Sequence, residues 1–539
     1  MHSPGNISGH IVDIIGKRTF KGRITIAEGH IISISEADIV PDQYILPGFI
    51  DAHIHIESSM VTPMAFAEVA ASHGTVATVS DPHEIANVCG TDGVQFMIDN
   101  SRNAVIKIFF GAPSCVPATT FENAGATLDS KEVDRLLASE DIWYLSEMMN
   151  YPGVLNNDPE VLAKIKCASY YGKPVDGHAP GLRGLQAKDY IDHGISTDHE
   201  CTTLAEASDK LDHGMKIIIR EGSAAKNFDA LHPIISTHPD DVMFCSDDKH
   251  PDDLIVGHIN LLVKKALQLG YDLYDVLKIA CINPIFHYNI PVGHLREGDP
   301  ADFIVVDTLV DFNIIKTFIN GNEIIPGNDQ YKNPKKTLIN QFNINVQHAD
   351  ILKVKDIGLI EYPIIVAVDG SLVTEKLFAS LPTESGYLLP DFSKGIIKIA
   401  VINRYHDAPA AVGFIQNFGL KGCAIASTVA HDSHNIIAVG DDDALIIKAV
   451  NLLIESKGGL SAVAKDSRIH IPLPIAGLMS DKPCHEIGHL YSEISSFVKA
   501  HGCTLHAPYM TLSFMALLVI PKIKISDLGM FDAEAFSFY

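Results

Sequence analysis

The sequence predicts an α/β protein with a (β/α)₈ barrel at its centre, a small β-sandwich domain built from both flanks of the barrel, and a C-terminal α/β domain. Three observations support this architecture. Apolar β-like runs alternate with helix-like stretches between residues 45 and 290, short alternating runs lie on either side, and a linker rich in Asn, Lys, Pro and Gly follows at 327–336. The predicted domains are 1–46 with 291–335, then 47–290, then 340–539.

Length and composition narrow the class of protein. A chain of 539 residues is too long for one core, and 47% hydrophobic with 20% charged residues is typical of globular proteins. The net charge of −25, without a long basic run, argues against nucleic-acid binding. Nine cysteines without a C-x-x-C pair favour a reducing, cytoplasmic location and argue against a thiolate zinc site. Residues 1–20 lack a signal-peptide core and the apolar run at 514–520 is short, so we expect no membrane association.

The flanks of the barrel contain short β-like runs. Those before it lie at 11–15, 22–26 and 30–34, with turn residues between them, and they predict a small antiparallel sheet. After the barrel, residues 292–307 are typical of a turn followed by a strand, and further β-like runs lie at 313–319 and 322–325. We expect the second group to complete the sheet begun by the first.

The central region contains eight predicted strands. They lie at 45–55, 75–80, 104–111, 142–147, 173–178, 195–199, 216–220 and 241–246. Helix-like stretches between them include 84–100, 131–139, 159–171, 203–213 and 252–269. Eight such units have the size and order of a (β/α)₈ barrel, and the doubly wound alternative lacks a Gly-rich fingerprint after its first strand.

Polar residues with metal-binding capacity follow these strands at the end where barrels carry their active sites. His53 and His55 project to the same face because side chains alternate along a strand. The other strand ends carry further candidates: His83 and Glu84 after strand two, Glu147 at strand four, His178 at five, His199 at six and Asp247 at eight. One histidine alone would more often be structural, but this set predicts a shared site.

The candidate ligands suit a pair of divalent ions. Four histidines, Glu147 and Asp247 offer nitrogen and oxygen, which favour Mn²⁺, Fe²⁺ or Zn²⁺. Six side chains exceed what one catalytic ion needs, so we expect two ions bridged by Glu147 and a hydroxide. Asp247 would accept the proton and pass it to the leaving group, with Glu84 and His83 as candidates for a second transfer. The predicted reaction class is metal-assisted hydrolysis of a C–N bond.

Two motifs fall in the C-terminal region. Residues 430–440 (AHDSHNIIAVG) place polar groups before an apolar strand, and from spacing alone helix capping is the preferred interpretation over a site. Residues 485–489 (HEIGH) match the H-E-x-x-H pattern of zinc proteases. That motif is short, has a glycine inside the expected helix and lacks a third ligand downstream, so it argues only weakly for a protease.

The chain resembles the amidohydrolase superfamily and, within it, the adenine deaminases. The general match is PGFIDAHIH at 47–55 with GDPAD at 298–302. Closer matches follow at 56–59, 81–88, 147–154, 176–182, 197–200, 430–440 and 473–480. The resemblance implies a metal-dependent hydrolase barrel that deaminates adenine to hypoxanthine and ammonia with two Mn²⁺ or Fe²⁺ ions. It implies Glu147 as the bridge, where many relatives use a carboxylated lysine.

Further residues are candidates for the substrate side of the site. They are Ser58, Gly181, Arg183, His431, Asp432 and His434, the last three reaching it from the C-terminal domain. The expected partner is a small purine, and exposed sheet edges favour a homo-oligomer, most simply a dimer.

Three alternatives stay open. A cyclic-amide hydrolase of the same superfamily would need a cationic clamp, for which Arg183 is available. The protease motif is the second alternative, and a non-catalytic relative is the third, although every expected ligand is present. Zinc nucleobase deaminases of the other fold are excluded because their P-C-x-x-C pair is missing.

Overall fold

The computed structural model describes residues 5–325 and 338–539. The predicted linker at 327–336 lies outside the described residues. The chain begins with four strands: β1 (Gly5–Asp13), β2 (Arg18–Ala27), β3 (His30–Glu36) and β4 (Tyr44–Pro47). β1, β2 and β3 pair antiparallel, which confirms the predicted antiparallel sheet, and β4 runs parallel to β1.

Eight parallel strands follow in chain order. They are β5 (Phe49–Ile54), β6 (Thr75–Ser80), β7 (Lys107–Ala112), β8 (Ile142–Met148), β9 (Val175–Gly177), β10 (Thr197–Asp198), β11 (Lys216–Arg220) and β12 (Val242–Cys245). They pair in two sheets, β5 to β9 and β10 to β12. Single parallel bridges connect Val175 with Ile195 and Ile54 with Asp247. The strands therefore form a curled parallel sheet in which the first strand lies beside the last.

Helices separate these strands. They are α1 (Pro63–Ser72), α2 (His83–Ser101), α3 (Ser130–Leu137), α4 (Tyr151–Leu155), α5 (Pro159–Tyr170), α6 (Gly184–Asp192), α7 (Leu204–Asp212), α8 (Phe228–Leu231), α9 (Ile234–Thr237), α10 (Pro251–Val256), α11 (Ile259–Gln268), α12 (Leu273–Cys281) and α13 (Asn283–Tyr288). Sequence signals explain several starts, as in α3, where Asp129 and Glu132 form a capping box.

The prediction of one helix over 252–269 is wrong. The helix is broken between α10 and α11, where Gly257 and His258 leave the helical conformation. The buried His258 ring contacts Thr75 Oγ1 at 2.7 Å and Asp51 Oδ2 at 2.8 Å, which ties this point of the chain to the parallel strands. A buried polar ring needs hydrogen-bond partners. His258 reaches them only because the chain leaves the helical conformation at this point.

The N-terminal strands are completed by strands from the other side of the parallel sheet. These are β13 (Phe303–Val306), β14 (Ile314–Ile319) and β15 (Asn322–Glu323). Together they form one seven-stranded sheet in the order β15-β14-β13-β4-β1-β2-β3. The expectation that both flanks share a sheet is confirmed by this pairing, whereas its division into two facing layers stays a prediction.

The C-terminal region is also of mixed α/β structure. Its strands are β16 (Val354–Lys355), β17 (Tyr362–Val366), β18 (Glu375–Ala379), β19 (Thr383–Glu384), β20 (Tyr387–Leu388), β21 (Ile396–Ile402), β22 (Ala411–Gln416), β23 (Cys423–Ser427), β24 (Ile436–Gly440), β25 (Gly459–Ala464), β26 (Arg468–Pro472), β27 (Ile523–Ser526), β28 (Gly529–Asp532) and β29 (Ser537–Phe538). Its helices are α14 (Asp443–Ser456), α15 (Cys484–Ala500) and α16 (Pro508–Phe514). Eight of the strands form one sheet in the order β18-β17-β22-β21-β24-β23-β25-β26.

The C-terminal region packs directly on the parallel strands and their loops. The Ser480 N–H donates to Met60 O at 2.8 Å, and the Asn123 side chain donates to Asp527 Oδ2 at 2.7 Å. One apolar core runs through both regions, including Ile54, Phe110, Ile487 and Leu512. Within residues 5–325 and 338–539, no helix combines the length and the apolar character that a membrane crossing requires.

Candidate active site

The six predicted metal ligands lie together at the carboxyl ends of the parallel strands. We call this set, His53, His55, Glu147, His178, His199 and Asp247, the metal-ligand cluster, and every member is buried. His53 and His55 lie at the end of β5, and their Nε2 atoms are 3.2 Å apart. Strands of a parallel sheet bring such residues to one edge although they lie far apart in sequence.

Glu147 lies at the centre of this cluster. Its Oε1 atom is 3.4 Å from His55 Nε2, while its Oε2 atom is 2.7 Å from His178 Nδ1 and 3.2 Å from His199 Nε2. Burial opposes ionisation, but His178 and His199 outweigh it and hold the pKa of the Glu147 carboxyl well below its usual range. The two oxygens thus face different histidines, as a bridging carboxylate would.

Asp247 closes the opposite side of the cluster. Its Oδ1 atom is 3.3 Å from His55 Nε2 and 3.6 Å from His53 Nε2. The residue has a φ of 53°, in the left-handed region that aspartate tolerates better than most residues, and its N–H donates to His53 O at 3.0 Å. Backbone conformation and hydrogen bonding therefore fix the direction of this carboxylate.

The hydrogen bonding of His55 shows that the cluster fits a cation. His55 Nδ1 lies 3.2 Å from Asp81 O, and because a carbonyl only accepts, this nitrogen must donate. In the neutral ring Nε2 is then a bare lone pair, and it faces two carboxylate oxygens, from Glu147 and Asp247. A cation held between these atoms would satisfy the lone pair and both carboxylates, and the nitrogen and oxygen donors suit Mn²⁺, Fe²⁺ or Zn²⁺.

His83 and Glu84, at the start of α2, border the cluster. His83 Nδ1 is 3.1 Å from Asp81 Oδ2 and 3.5 Å from Glu147 Oε1. Glu84 instead contacts His431 Nδ1 and His434 Nε2, two histidines of the C-terminal region. The structure thus places His83 against the cluster and Glu84 between the two regions.

The predicted C-terminal residues reach the site through residues 430–435, which we call the interdomain segment. Asp432 Oδ1 lies 3.7 Å from His83 Nε2, and the His431 ring stacks on Phe514 with ring centroids 5.0 Å apart. The Ala430 N–H donates to His434 Nδ1 at 3.2 Å, so the neutral His434 ring carries its proton on Nε2, facing Glu84. The capping interpretation is wrong, because the segment leads into β24 and not into a helix.

The remaining substrate-side candidates are distributed differently. Ser58 Oγ donates to Asp248 Oδ1 at 2.5 Å, beside the cluster. Gly181, with a φ of 76°, lines a neighbouring cavity together with Glu200 and Arg220. Arg183 is exposed at the start of α6, so the structure does not bring it into the cluster.

Two buried residues that the sequence did not predict, Arg220 and Glu200, also belong to the site. Arg220 Nη1 donates to Asp247 Oδ2 at 2.6 Å, and Arg220 Nη2 donates to Glu200 Oε2 at 2.8 Å. Burial opposes ionisation of Glu200, but Arg220 outweighs it and lowers the pKa of this carboxyl to about 2. The sequence carried one signal for Arg220. This residue ends the seventh predicted strand, at the edge of the sheet where the candidate metal ligands lie.

Comparisons with known proteins show which family the chain belongs to. The family model described as Amidohydrolase family matches residues 44–324, and the one described as Adenine deaminase C-terminal domain matches residues 371–537. An adenine deaminase of Methanosarcina mazei is 48% identical over 544 residues, which cover 98% of each chain. Adenine deaminases of Sulfurovum sp. and Borreliella burgdorferi are 51% and 48% identical, each alignment covering 99% of this chain and 98% of the relative. The chain belongs to the adenine deaminase family.

Membership of the adenine deaminase family confirms the resemblance seen in the motifs. It does not favour the cyclic-amide alternative, since these three relatives are all named adenine deaminase. The protease motif lies on the exposed face of α15, where His489 pairs with Glu493 at 3.3 Å and Glu486 pairs with Lys482. These solvated ion pairs make it an ordinary helix surface in this family member.

We expect the charge of His431, in the interdomain segment, to make the thermal stability of the protein depend on pH. Burial lowers the pKa of His431, but Glu84, Asp248 and Asp432 outweigh it and raise this pKa to about 9, above its ordinary value of 6.5. The protonated ring then stabilises the fold fully below about pH 6.5 and loses this effect as pH rises through about 9. We expect the thermal midpoint to fall across this interval, by an amount equivalent to a free energy on the order of 3 kcal/mol.

Scanning calorimetry of the wild type and His431→Asn from pH 6 to 10 measures this effect. We expect the variant to show a much flatter dependence in this window. His489→Asn, which changes an exposed histidine of the same region, serves as the control and should follow the wild type. If the thermal midpoint changed equally with pH in all three proteins, the assignment of a charged His431 would be contradicted.

Proposed function

We propose that this chain is an adenine deaminase, which adds water at C6 of adenine and releases hypoxanthine and ammonia. The observation that carries the proposal is the buried metal-ligand cluster around Glu147, in a chain whose full-length relatives are named adenine deaminase. The site is small and lies among histidines and carboxylates, which suits a neutral base without a phosphate. We place the activity in purine salvage, in the cytoplasm.

We further propose that two divalent ions, Mn²⁺ or Fe²⁺ with Zn²⁺ as the alternative, are the cofactors. His53, His55 and Asp247 would hold one, His178 and His199 the other, and Glu147 both. When bound, such ions supply an activated hydroxide at neutral pH. The His55 Nδ1–H donated to Asp81 O keeps Nε2 available as a ligand.

The protein side chains then handle protons. Asp247 takes the proton from the attacking water and delivers it to the exocyclic amino group, so that ammonia is the leaving group. His83 and Glu84, whose side chains lie 3.5 Å apart, give a proton to the ring nitrogen and recover one from the C6 hydroxyl as the product carbonyl forms. Ser58 orients Asp248, while His431 and His434 hold Glu84 in place. Gly181 and Arg183 lie further out, on the approach to the site.

The finer architecture belongs to the same proposal. The bridges at Val175–Ile195 and Ile54–Asp247 support a complete (β/α)₈ barrel over 47–290, flanked by a β-sandwich of 1–46 and 291–335 and a C-terminal domain of 340–539. We propose that the protein forms a homodimer. Light scattering on a sizing column tests the dimer, and limited proteolysis tests the domain boundaries.

Metal removal tests the function directly. We expect the metal-loaded protein to release ammonia from adenine and to lose at least about 99% of this activity after dialysis against a chelator, because the cluster carries the chemistry. Two equivalents of Mn²⁺ or Fe²⁺ per chain should restore it. A panel of purines, dihydroorotate and hydantoin separates deamination from cyclic-amide hydrolysis. Ring opening without ammonia release from adenine would refute the proposal.

A further inference from the structure

Two cavities of very different size lie at the candidate active site. The one enclosed by the metal-ligand cluster, together with Leu372, Phe514 and Leu517 of the C-terminal region, has a volume of about 30 Å³. That is room for about two water molecules, far less than a purine base needs. A second cavity of about 320 Å³ adjoins it, and we call it the side cavity. Its volume lies in the range of small-molecule sites.

The side cavity reaches from solvent to the residues that border the metal-ligand cluster. Gly181 and Thr202 line it and are exposed, whereas Glu200 and Arg220 line it and are buried. Glu200, Arg220 and Leu372 line both cavities, so they form the wall between them. A molecule entering at the exposed side would reach the cluster by passing this wall.

The chemistry of the lining favours a flat, uncharged ring. Leu372, Val373 and Ile520 provide an apolar wall from the C-terminal region. Of the charged residues in the lining, Glu200 and Arg220 neutralise each other through their own hydrogen bonds at the inner end, and Lys226 is exposed. This is the arrangement of an apolar pocket with a few oriented polar groups, which suits the ring of a neutral heterocycle.

The C-terminal wall of the side cavity is held in place from behind. The buried Lys524 Nζ donates to Leu372 O at 2.7 Å and to Phe514 O at 2.9 Å, which joins two segments that line the smaller cavity. Thr374 Oγ1 donates to Ile523 O at 2.8 Å and thereby anchors the residues just after Val373. The side cavity is therefore formed before any ligand enters.

We propose that the side cavity is the binding pocket for the ring of a neutral purine base, with the amino-bearing edge directed past Leu372 towards the metal-ligand cluster. The assignment rests on the proposed deaminase function and deepens it. It makes Leu372, from the C-terminal region, and Thr202, from the segment after β10, residues that determine which bases enter. It also gives the C-terminal domain a role in substrate binding.

The test fills the side cavity from each wall in turn. Leu372→Trp adds a ring from the C-terminal wall and Thr202→Trp narrows the exposed entrance, while Ile360→Trp adds the same ring at a position that is 89% exposed. Each full-length, metal-loaded protein is assayed for metal content, for kcat and KM with adenine, and calorimetrically for binding of hypoxanthine. Thr202 is exposed, so its replacement should not impair folding.

We expect both cavity variants to retain the metal content of the wild type. KM for adenine and Kd for hypoxanthine should rise by about 100-fold or more, since the added ring occupies the space of the base. Ile360→Trp should stay within about twofold of the wild type. Wild-type KM and Kd in both cavity variants would overturn the proposal.

Binding of hypoxanthine and deamination of adenine, measured separately, distinguish the pocket proposal from the proposed function. A wild-type protein that binds hypoxanthine without deaminating adenine, and whose cavity variants lose that binding, refutes the function and supports the pocket. A wild-type protein that deaminates adenine, with cavity variants that do so equally well, supports the function and refutes the pocket. Absence of purine binding and of deamination in the wild type overturns both.

Discussion

Replacement of Glu147 by glutamine is expected to lower kcat/KM for adenine by about 1,000-fold or more, equivalent to about 4 kcal/mol of transition-state stabilisation. The carboxylate faces His55 with one oxygen and His178 and His199 with the other. An amide keeps the shape, but its nitrogen donates hydrogen bonds, so one side of the bridge loses its ligand. Ammonia release and metal analysis of the purified variant measure the effect, and we expect less than two metal ions per chain.

Glu122→Gln is the matched control for this variant. Glu122 is also buried, and burial together with the charge of Asp432 raises the pKa of its carboxyl to about 8, so it is already neutral at pH 7. A neutral amide of the same shape should therefore leave activity and metal content within about twofold of the wild type. Full activity and full metal content in Glu147→Gln would remove the bridging role from the mechanism.

Arg220→Met is expected to have the second largest effect. It leaves Glu200 and Asp247 as buried carboxylates without their shared partner, and breaking such a buried pair costs about 3–5 kcal/mol. We expect a lower thermal midpoint and at least about 100-fold less activity, because Asp247 loses the donor that fixes its Oδ2 atom. Compared with Arg220→Met, Arg220→Lys should recover only part of the thermal stability and part of the activity. A single ammonium cannot donate to both carboxylates as the two guanidinium nitrogens do.

A double variant distinguishes the ion pair from a general packing effect. Adding Glu200→Gln to Arg220→Met removes one of the two unpaired charges, so it should restore part of the lost thermal stability. Arg468→Met, which changes an exposed arginine of β26, is the control and should resemble the wild type. The unpaired-charge explanation would fail if the double variant lost more thermal stability than Arg220→Met and Glu200→Gln lose together.

The parallel strands and most of the helices follow from local sequence. The buried strand β6 is a continuous run of valine, threonine and alanine, and α3 begins at a recognisable capping box. The His53 and His55 pair followed from the two-residue period of a strand, and the other ligands from their position at strand ends. The helix predicted from the local pattern at 252–269 was wrong, because the buried His258 in its middle has its partners on distant strands.

The sequence by itself determined most of the strands and helices and which six side chains are predicted to be metal ligands, because period and strand position are local properties. Only the tertiary structure decided how these side chains are oriented and completed. Arg220 joins Asp247 across 27 positions and His431 meets Glu84 across 347, so neither contact is encoded by any local pattern. Buried charges must find partners, and which partner is within reach depends on how the whole chain is packed.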